Sequence, residues 1–389
     1  MRKGWEYKKL GEVCCPKSKI QRATKCFGGS DEILYIDISS IDNSVQEVNS
    51  ITSFTMSNAP SRAQQKVEYG DIIVSTVRPN LKNVAVIKQH DSNLVVSSGF
   101  CVLRTTDDIE RNYLFRYITS DIFTQHLMKL TTGANYPAVR DLDVRDSTIP
   151  LPPKSTQIEI VSELDKINEL IRLKKEQLKD FDNLAQSLFY EMFGDPVENE
   201  KGWEVKKLGE IAKSAIGLTY KPENVTEELS GTVVLRSSNI QNSILDFNDI
   251  VRVNVLVKED KMVNDGDILM CSRNGSFRLV GKVALIKGLK ERMSYGAFMT
   301  IIRSPYNPYL FEYFKTPAFR QYLITGKTTT VNQITVKMLN NLTLPLPPLS
   351  LQQLFAQRIE QIEREKSEVQ KSIQDLETLL ASRMQYWFE

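Results

Sequence analysis

The sequence predicts an α+β protein built twice on one plan, with two similar globular halves separated by two long antiparallel helices that pair as a coiled coil. The first observation is a repeat, because residues 4–13 (GWEYKKLGEV) return as residues 202–211 (GWEVKKLGEI). The second is a proline-rich segment that ends each globular half, which we call the exit. It reads IPLPP at 149–153 and returns as LPLPP at 344–348. A long heptad pattern follows each exit. A repeat of this length is a whole domain with its connector, so a pseudo-two-fold relation within the chain is expected.

Each globular half is predicted to combine strands and helices in the same order, which is the α+β class. Apolar, β-branched runs predict the strands, and a Gly-Asp turn opens one strand in each half. The predicted strands are 33–38, 70–75 and 84–87 in the first half and 232–237, 266–271 and 283–286 in the second, with a helix near 113–115 and another near 309–311. The loops differ more than the strands, as expected of recognition domains with different targets.

Residues 154–193 and 349–389 each predict one long helix, which begins after a Pro-Pro pair that suits a helix entry. Apolar residues recur there at spacings of three and four, which predicts a helix-pairing seam. The seam residues are Leu164, Ile167, Ile171, Leu178, Phe181 and Leu188 in the first helix and Ile359, Ile362, Val369, Ile373, Leu376 and Leu380 in the second. A helix of roughly 38 residues is about 57 Å long and would expose a wide apolar stripe alone, so pairing is expected. The alternative is that each helix lies on its own domain.

These patterns divide the chain into five segments. They are a globular domain at 1–153, a long helix at 154–193, a linker at 194–202, a second globular domain at 203–348 and a second long helix at 349–389. Glycine, proline and asparagine in the linker sequence GDPVENEKG explain the break between the halves.

The composition indicates an ordinary globular protein, with 25% charged and 41% hydrophobic residues. We find no apolar run long enough for a membrane span and no signal-peptide pattern, so a cytoplasmic location is expected. Five cysteines form no paired framework. The formal net charge is only +2, so binding to nucleic acid would need local basic patches or a partner that adds positive charge.

No residue pattern in the sequence is typical of catalysis or metal binding. The only histidines are His90 and His126, both in the first half. A histidine-dependent catalytic site in each half would need a histidine in each half. No Cys or His cluster has zinc spacing, and the loop at 275–283 has one residue too many for a phosphate-binding loop. The sequence therefore predicts a non-catalytic protein that binds no cofactor or metal itself.

The order of these motifs resembles the specificity subunit of Type I restriction-modification systems. Each half has the GWE opening, the Gly-Asp strand, the Leu-Pro-Pro exit, a glutamine soon afterwards (Gln157, Gln352) and the long helix, and Phe193-Gly194-Asp195-Pro196 joins the halves. The resemblance covers essentially the whole chain. It implies two target recognition domains, each reading one half of a split, asymmetric DNA sequence.

The same resemblance implies partners and cofactors. The helices would set the gap between the half-sites and dock two methyltransferase subunits, and two restriction (motor-nuclease) subunits would complete the complex. S-adenosylmethionine, ATP and Mg²⁺ would belong to those partners, with no cofactor on this chain.

Exposed loops supply the candidate DNA contacts, because Arg, Lys, Asn and Gln match the edges of guanine and adenine. Both halves place Arg and Asn after the Gly-Asp strand and have a second polar loop later. The candidates are Arg78, Asn80, Lys82, Asn83, Asn135, Tyr136 and Arg140 in the first half and Arg273, Asn274, Ser276, Arg278, Asn332, Gln333 and Lys337 in the second. Most hydrogen bonds to DNA go to phosphate and sugar, so fewer of these residues are expected to read bases than to contact DNA. The alternative is that they are solvated loop residues.

A second hypothesis comes from another class of protein, a pseudo-dimeric structural adaptor that bridges protein partners without reading DNA. Its long helices would look the same in sequence. Divergent Arg and Asn loops on a common frame argue against it, because an adaptor does not need loops of this chemistry.

Overall fold

A computed structural model describes residues 4–132, 137–325 and 332–389. The chain divides into two compact units, one made of Met1–Lys175 with Lys371–Glu389 and the other of Glu176–Gln370. Each unit therefore contains one globular half and a segment of both long helices. Within the described ranges, we find no helix that combines the length and the hydrophobicity needed to cross a membrane.

Short strands and helices alternate in the first unit ahead of a long helix. The strands are β1 (Glu6–Lys9), β2 (Glu32–Ile36), β3 (Ile41–Asp42), β4 (Glu47–Val48), β5 (Thr52–Thr55), β6 (Ala63–Lys66), β7 (Ile72–Ser75), β8 (Val84–Val86), β9 (Leu94–Ser97), β10 (Phe100–Leu103) and β11 (Thr148–Leu151). The helices are α1 (Leu10–Val13), α2 (Ala23–Cys26), α3 (Arg111–Ile118), α4 (Asp121–Leu130), α5 (Asp141–Arg145) and α6 (Lys154–Phe193).

The same alternation continues after α6. The strands are β12 (Glu204–Lys207), β13 (Lys213–Ile216), β14 (Val225–Thr226), β15 (Thr232–Leu235), β16 (Ile240–Gln241), β17 (Ile244–Leu245), β18 (Arg252–Val253), β19 (Ile268–Cys271), β20 (Val283–Leu285), β21 (Met293–Tyr295), β22 (Met299–Arg303) and β23 (Thr343–Leu346). The helices are α7 (Leu208–Ile211), α8 (Asn307–Tyr313), α9 (Pro317–Thr325), α10 (Val336–Asn341) and α11 (Leu349–Phe388).

The two units share a sheet plan. The first has a sheet of order β5-β2-β9-β6, with β2 and β9 parallel, and an antiparallel sheet β10-β7-β8. The second has β14-β18-β15-β21, with β15 and β21 parallel, and β13-β22-β19-β20. In both, the strand of the GWE opening pairs with the exit strand, so that Glu6 faces Leu151 and Glu204 faces Leu346. This repetition confirms the predicted α+β fold with an internal repeat.

The proline-rich exit is held by a buried tyrosine in each unit. The Tyr113 hydroxyl donates to the carbonyl oxygen of Pro150 at 2.7 Å, and the Tyr309 hydroxyl donates to that of Pro345 at 2.6 Å. A buried glutamine follows, and Gln157 Nε2 donates to the carbonyl oxygen of Pro152 at 2.9 Å. These bonds satisfy the backbone carbonyls of prolines in the exit segment, and they fix where the long helix begins.

The Gly-Asp pairs form turns ahead of the strands. Gly70 has a φ of 91° and Gly266 a φ of 88°, a backbone region that favours glycine. The buried carboxylate of Asp71 accepts hydrogen bonds from Arg104 Nε and Nη2, both at 2.8 Å. In the second unit, Asp267 accepts the equivalent bonds from Arg303. The strands begin at Ile72 and Ile268, two residues later than predicted, because each Gly-Asp pair is used for the turn.

The long helices pair in an antiparallel sense within each unit. In the first unit, Glu163 of α6 contacts Arg383 of α11, and Lys175 contacts Glu377 at 2.9 Å. The residue number rises along one helix while it falls along the other. In the second unit, Asp182 pairs with Lys366 at 2.9 Å, and the Phe189 and Phe355 rings lie 6.0 Å apart. The observed bounds, Lys154–Phe193 and Leu349–Phe388, agree with the predicted helices.

The structure places every predicted seam residue on a covered face of its helix. The buried members are Leu164, Ile167, Ile171, Leu188, Ile362, Val369 and Ile373, and the half-buried members are Leu178, Phe181, Ile359, Leu376 and Leu380. Lys175, between these positions, is exposed. A narrow covered stripe with charged flanks is the arrangement that a two-helix seam requires.

Each long helix ends by inserting a phenylalanine into a globular core. Phe193, the last residue of α6, packs against Tyr309 at 5.0 Å and Phe355 at 4.9 Å between ring centroids in the second unit. Phe388, the last residue of α11, packs against Tyr113 at 5.4 Å and Tyr117 at 5.5 Å in the first unit. Each globular core therefore includes a residue from the end of a long helix.

Candidate nucleic-acid interface

In the first unit, the loop after β7 lies against the later polar loop. The Arg78 nitrogen donates to the carbonyl oxygen of Pro137 at 2.7 Å, and the Val139 nitrogen donates to that of Thr76 at 2.9 Å. Backbone hydrogen bonds thus bring together two candidate regions that are about 60 residues apart in sequence. Arg140 follows directly, so these bonds place Arg78 and Arg140 on adjoining loops.

The second unit repeats this arrangement after β19. The Ile334 nitrogen donates to the carbonyl oxygen of Ser272 at 2.7 Å, and the Asn274 nitrogen donates to that of Asn332 at 3.3 Å. Arg273 and Gln333 form an isolated antiparallel bridge. We call these two places the first and second loop pairs, made of 76–83 with 137–140 and of 272–278 with 332–337. Their candidate residues come together in each unit through equivalent backbone bonds.

The first loop pair has an uncommon backbone conformation. Arg78 and Lys82 both have a φ of 51°, and they flank a 3₁₀ turn at Pro79–Leu81. A non-glycine residue in this left-handed region costs about 1–2 kcal/mol. Such strain persists only where surrounding bonds hold it, and here Asn43 Nδ2 donates to the Leu81 carbonyl oxygen at 2.9 Å. The loop is therefore held in one shape, which is what a recognition loop needs.

The candidate side chains of the first loop pair differ in their exposure to solvent. Arg78 and Asn80 are exposed, and Asn83 is half-buried. Lys82 Nζ contacts Asp121 Oδ1 at 2.6 Å, so it already has an anionic partner. Arg140 is exposed but forms an ion pair with Asp143 at 2.6 Å.

The ion pair of Arg140 also caps α5. The Arg140 nitrogen donates to Asp143 Oδ2 at 2.7 Å, and hydrogen bonding from Arg140 lowers the pKa of the Asp143 carboxyl. A carboxylate in the first turn of a helix is favourable. Arg140 thus has a structural role whether or not it meets DNA. The predicted contacts Asn135 and Tyr136 lie outside the described residues.

The second loop pair presents Arg273, Ser276, Arg278 and Lys337 as exposed side chains. Asn274 is half-buried, and its Nδ2 atom donates to Ser237 Oγ at 3.3 Å. Asn332 Nδ2 donates to the Gly275 carbonyl oxygen at 2.9 Å. The asparagines therefore shape the loops, whereas the exposed arginines and lysine can reach a ligand.

Sequence reasoning missed one neighbour of the second loop pair, Phe298. The Arg273 guanidinium carbon lies 5.3 Å from the centre of the Phe298 ring. An apolar residue next to the β22 run reads as part of a strand, so its position in the preceding turn gave no signal. An aromatic ring thus lies beside the polar groups of the second loop pair.

Reactive groups elsewhere are buried or dispersed. Burial raises the pKa of the Cys14 thiol to about 12, so this thiol is protonated at neutral pH. Among the residues that the structure describes, no group of three His, Cys, Asp or Glu side chains could hold a metal ion.

Twin α+β units with matching polar loop pairs define a two-domain recognition protein. The family described as "Type I restriction modification DNA specificity domain" matches residues 2–180 and 200–378, so both halves are covered. The chain belongs to this family, and it is a DNA-recognition protein of a Type I restriction-modification system.

Individual relatives agree with this assignment. The MjaIX specificity subunit of Methanocaldococcus jannaschii is 22% identical over 302 residues, covering 73% of this chain and 68% of that protein. The EcoKI specificity subunit of Escherichia coli is 27% identical over 167 residues, covering 41% of this chain and 36% of that protein. A solved chain from work on assembly and conformational transition of the type I R-M system has a TM-score of 0.71 at 27% identity, with 100% of this chain and 98% of that chain covered.

Proposed function

We propose that each unit reads one part of a bipartite, asymmetric DNA site through its loop pair. The observation that carries this proposal is the repeated backbone bridge, Arg78 to Pro137 in one unit and Asn274 to Asn332 in the other. Because the two units present equivalent loops on equivalent folds, each unit would contact its own half-site of the DNA in the same way. Membership of the DNA specificity family favours this function over the structural adaptor.

The different side chains of the two loop pairs support an asymmetric site. Arg78-Pro79-Asn80 in the first corresponds to Asn274-Gly275-Ser276 in the second. Arg78 is exposed, whereas the Asn274 amide bonds to Ser237 and to the Ser276 nitrogen. One shared frame therefore presents an arginine in the first unit where the second unit presents none, so the two loop pairs would select different bases. The formal net charge of +2 is low for a protein that binds DNA alone, which supports sharing of the phosphate contacts with partner subunits.

The long helices are proposed to set the gap between the half-sites and to dock two methyltransferase subunits. In the first unit, Leu170 and Leu173 of α6 are exposed, and in the second unit Leu184 and Leu354 are exposed. Exposed leucines on a helix that already buries its seam supply apolar area for a partner protein. Two restriction subunits would complete the assembly. This chain would then do no chemistry, and S-adenosylmethionine, ATP and Mg²⁺ would be bound by the partners.

Methylation mapping tests the proposal directly. The chain is co-expressed with the methyltransferase encoded beside it, and methylated adenines are located by single-molecule sequencing. We expect one split motif with an unspecified gap. An active methyltransferase that methylates no motif in the presence of this chain would contradict DNA reading and favour the adaptor.

Domain exchange tests the assignment of one half-site to each unit. Residues 203–345 are replaced by the equivalent domain of a relative with a known motif, and the methylated motif is mapped again. One half of the motif should change while the other stays intact. A simultaneous change in both halves would contradict independent reading by the two loop pairs.

A further inference from the structure

Phe298 is an exposed aromatic residue in a turn that is fixed against the second loop pair. The Met299 nitrogen donates to the Gly296 carbonyl oxygen at 2.9 Å and closes the turn. The nitrogens of Ser272 and Arg273 both donate to the Phe298 carbonyl oxygen, at 2.8 and 3.1 Å. The backbone position of Phe298 is therefore well determined, although its side chain is 59% exposed.

The first unit has a glycine at the corresponding place. The Thr76 nitrogen donates to the Gly99 carbonyl oxygen at 2.9 Å, as Ser272 does to Phe298. A Cβ atom on Gly99 would lie 2.8 Å from Ile38 Cδ1, so a side chain there would require Ile38 to shift. The two units thus share the same backbone arrangement at this point, but only the second unit has an aromatic side chain there.

The Phe298 ring has a cation on one face. The guanidinium carbon of Arg273 lies 5.3 Å from the ring centre, within the range of a cation–π interaction. An aromatic wedge that enters between base pairs needs both of its faces. A ring with one covered face suits contact with a single apolar group instead. The apolar group that DNA presents among its polar major-groove edges is the 5-methyl group of thymine.

We propose that Phe298 contacts a thymine methyl group in the major groove of the half-site read by the second unit. Arg273, held against the ring, faces the neighbouring nucleotide. Arginine is a side chain that recognises guanine edges in the major groove, which places the ring and the guanidinium group on one surface of the duplex. The inference rests on the proposed DNA-reading function and deepens it, because it assigns one base and one specificity residue.

The test uses the complex of this chain with its methyltransferase and a duplex that carries the mapped motif. Each thymine of both half-sites is replaced in turn by deoxyuridine, which removes only the methyl group, and Kd is measured by fluorescence anisotropy. Loss of the contacted methyl should weaken wild-type binding about 4-fold, the equivalent of one buried methyl group. Phe298→Ala should weaken binding to the unmodified duplex on the order of 10-fold. Phe298→Leu, which keeps an apolar contact, should bind more tightly than Phe298→Ala.

The decisive result is the combination of both changes. The deoxyuridine that weakens DNA binding by the wild type should cause no further loss of affinity in Phe298→Ala. Deoxyuridines in the other half-site should change the affinity of both proteins equally. Leu256→Ala is the matched control, because Leu256 is an exposed apolar residue of the same unit. Deoxyuridine effects of equal size in the wild type and Phe298→Ala would overturn the inference, as would a half-site without an A·T pair. A wild-type complex with no split motif would instead overturn the proposed function, and the inference with it.

Discussion

The ring of Phe388 lies 5.4 Å from the ring of Tyr113, so α11 supplies a core residue to the first unit. Both side chains are buried. We expect Phe388→Ala to destabilise the first unit by about 3–5 kcal/mol, because truncation of a large buried ring leaves a cavity. Hydrogen exchange followed by mass spectrometry should show faster exchange in α3 and α6 up to Lys175, with little change in 203–348.

Phe193→Ala is the matched variant for this prediction. Phe193 lies 5.0 Å from Tyr309 in the second unit. Its truncation should therefore accelerate exchange in α8 and leave α3 unchanged. If either variant loosened both units equally, the two cores would not be independent in the way that their contacts indicate.

The helix seam should not tolerate a buried charge. Ile373 is only 2% exposed, so Ile373→Asp would bury a carboxylate without a partner and cost at least about 3 kcal/mol. Thermal melting should shift down, and capture of the methyltransferase subunit should fall. Gln374→Asp introduces the same charge at the next residue, which is exposed, and should be close to neutral. Unchanged melting and capture for Ile373→Asp would show that the seam is wrongly assigned.

Acid should weaken the contact between Glu163 and the end of α11. Hydrogen bonding from Arg383, with a further bond from Trp387, lowers the pKa of Glu163 from its ordinary value of 4.5. Since the folded-state pKa is the lower one, the ionised carboxylate stabilises the fold above pH 4.5, and this contribution is lost as the pH falls through the folded-state pKa. The side chains of Glu163 and Arg383 are about one-third exposed, so the contribution to stability should be at most about 1 kcal/mol.

Glu163→Gln provides the measurement for this pH effect. The variant keeps the size of the side chain and removes its titration. The difference in melting temperature between wild type and variant should be present at neutral pH and shrink at acid pH. A difference that stays constant below pH 4.5 would show that the carboxylate does not titrate as its partners require.

Arginines of the two loop pairs should affect different half-sites. Arg78→Ala should relax base selection in one half of the methylated motif, and Arg278→Ala should relax it in the other, each by about 1–3 kcal/mol if the residue contacts a base. A phosphate contact would instead weaken all sequences equally and reduce the salt dependence of binding. Arg292→Ala is a control, because Arg292 is exposed and paired with Glu259. Relaxation of the same half-site by both variants would contradict separate reading.

Helix length should set the unspecified gap. Lys175 and Glu377 contact each other at 2.9 Å, so four residues inserted after Lys174 and four after Glu377 keep the seam in register. Each insertion lengthens its helix by roughly 6 Å. Because DNA rises about 3.4 Å per base pair, the mapped gap should grow by one or two base pairs while the read bases stay the same. An active complex with an unchanged gap would leave the helices as docking surface only.

The sequence predicted the long helices to within a residue or so, because heptad spacing and Pro-Pro entries are local signals. Strand starts were less accurate, since Gly70-Asp71 reads as the beginning of a strand and forms the turn before it. The pairing of Asp71 with Arg104 could not be predicted, because it joins residues 33 positions apart, one just before β7 and the other just after β10. The loop pairs were identified from their Arg and Asn content, but their backbone bridges depend on the tertiary fold.

The same limit explains the individual side chains of the site. Lys82 meets Asp121, which is 39 residues away, only because the tertiary fold brings them together. Arg140 and Asp143 are three residues apart, but their contact depends on the helix α5, which the sequence analysis did not predict. Phe298 was missed because an aromatic residue beside an apolar strand is usually in the core. Its exposure follows from the turn that closes between Gly296 and Met299.

The insertion of Phe388 into the first unit also has a consequence for synthesis on the ribosome. The second unit is one continuous stretch, Glu176–Gln370, whereas the first unit needs Lys371–Glu389 to complete its core. At 5–20 residues per second, residues after Lys175 take on the order of 10–40 s to be made. The half that is translated first is therefore the half that can finish folding last, and until then the surface of Tyr113 and Tyr117 that Phe388 covers is open to chaperones.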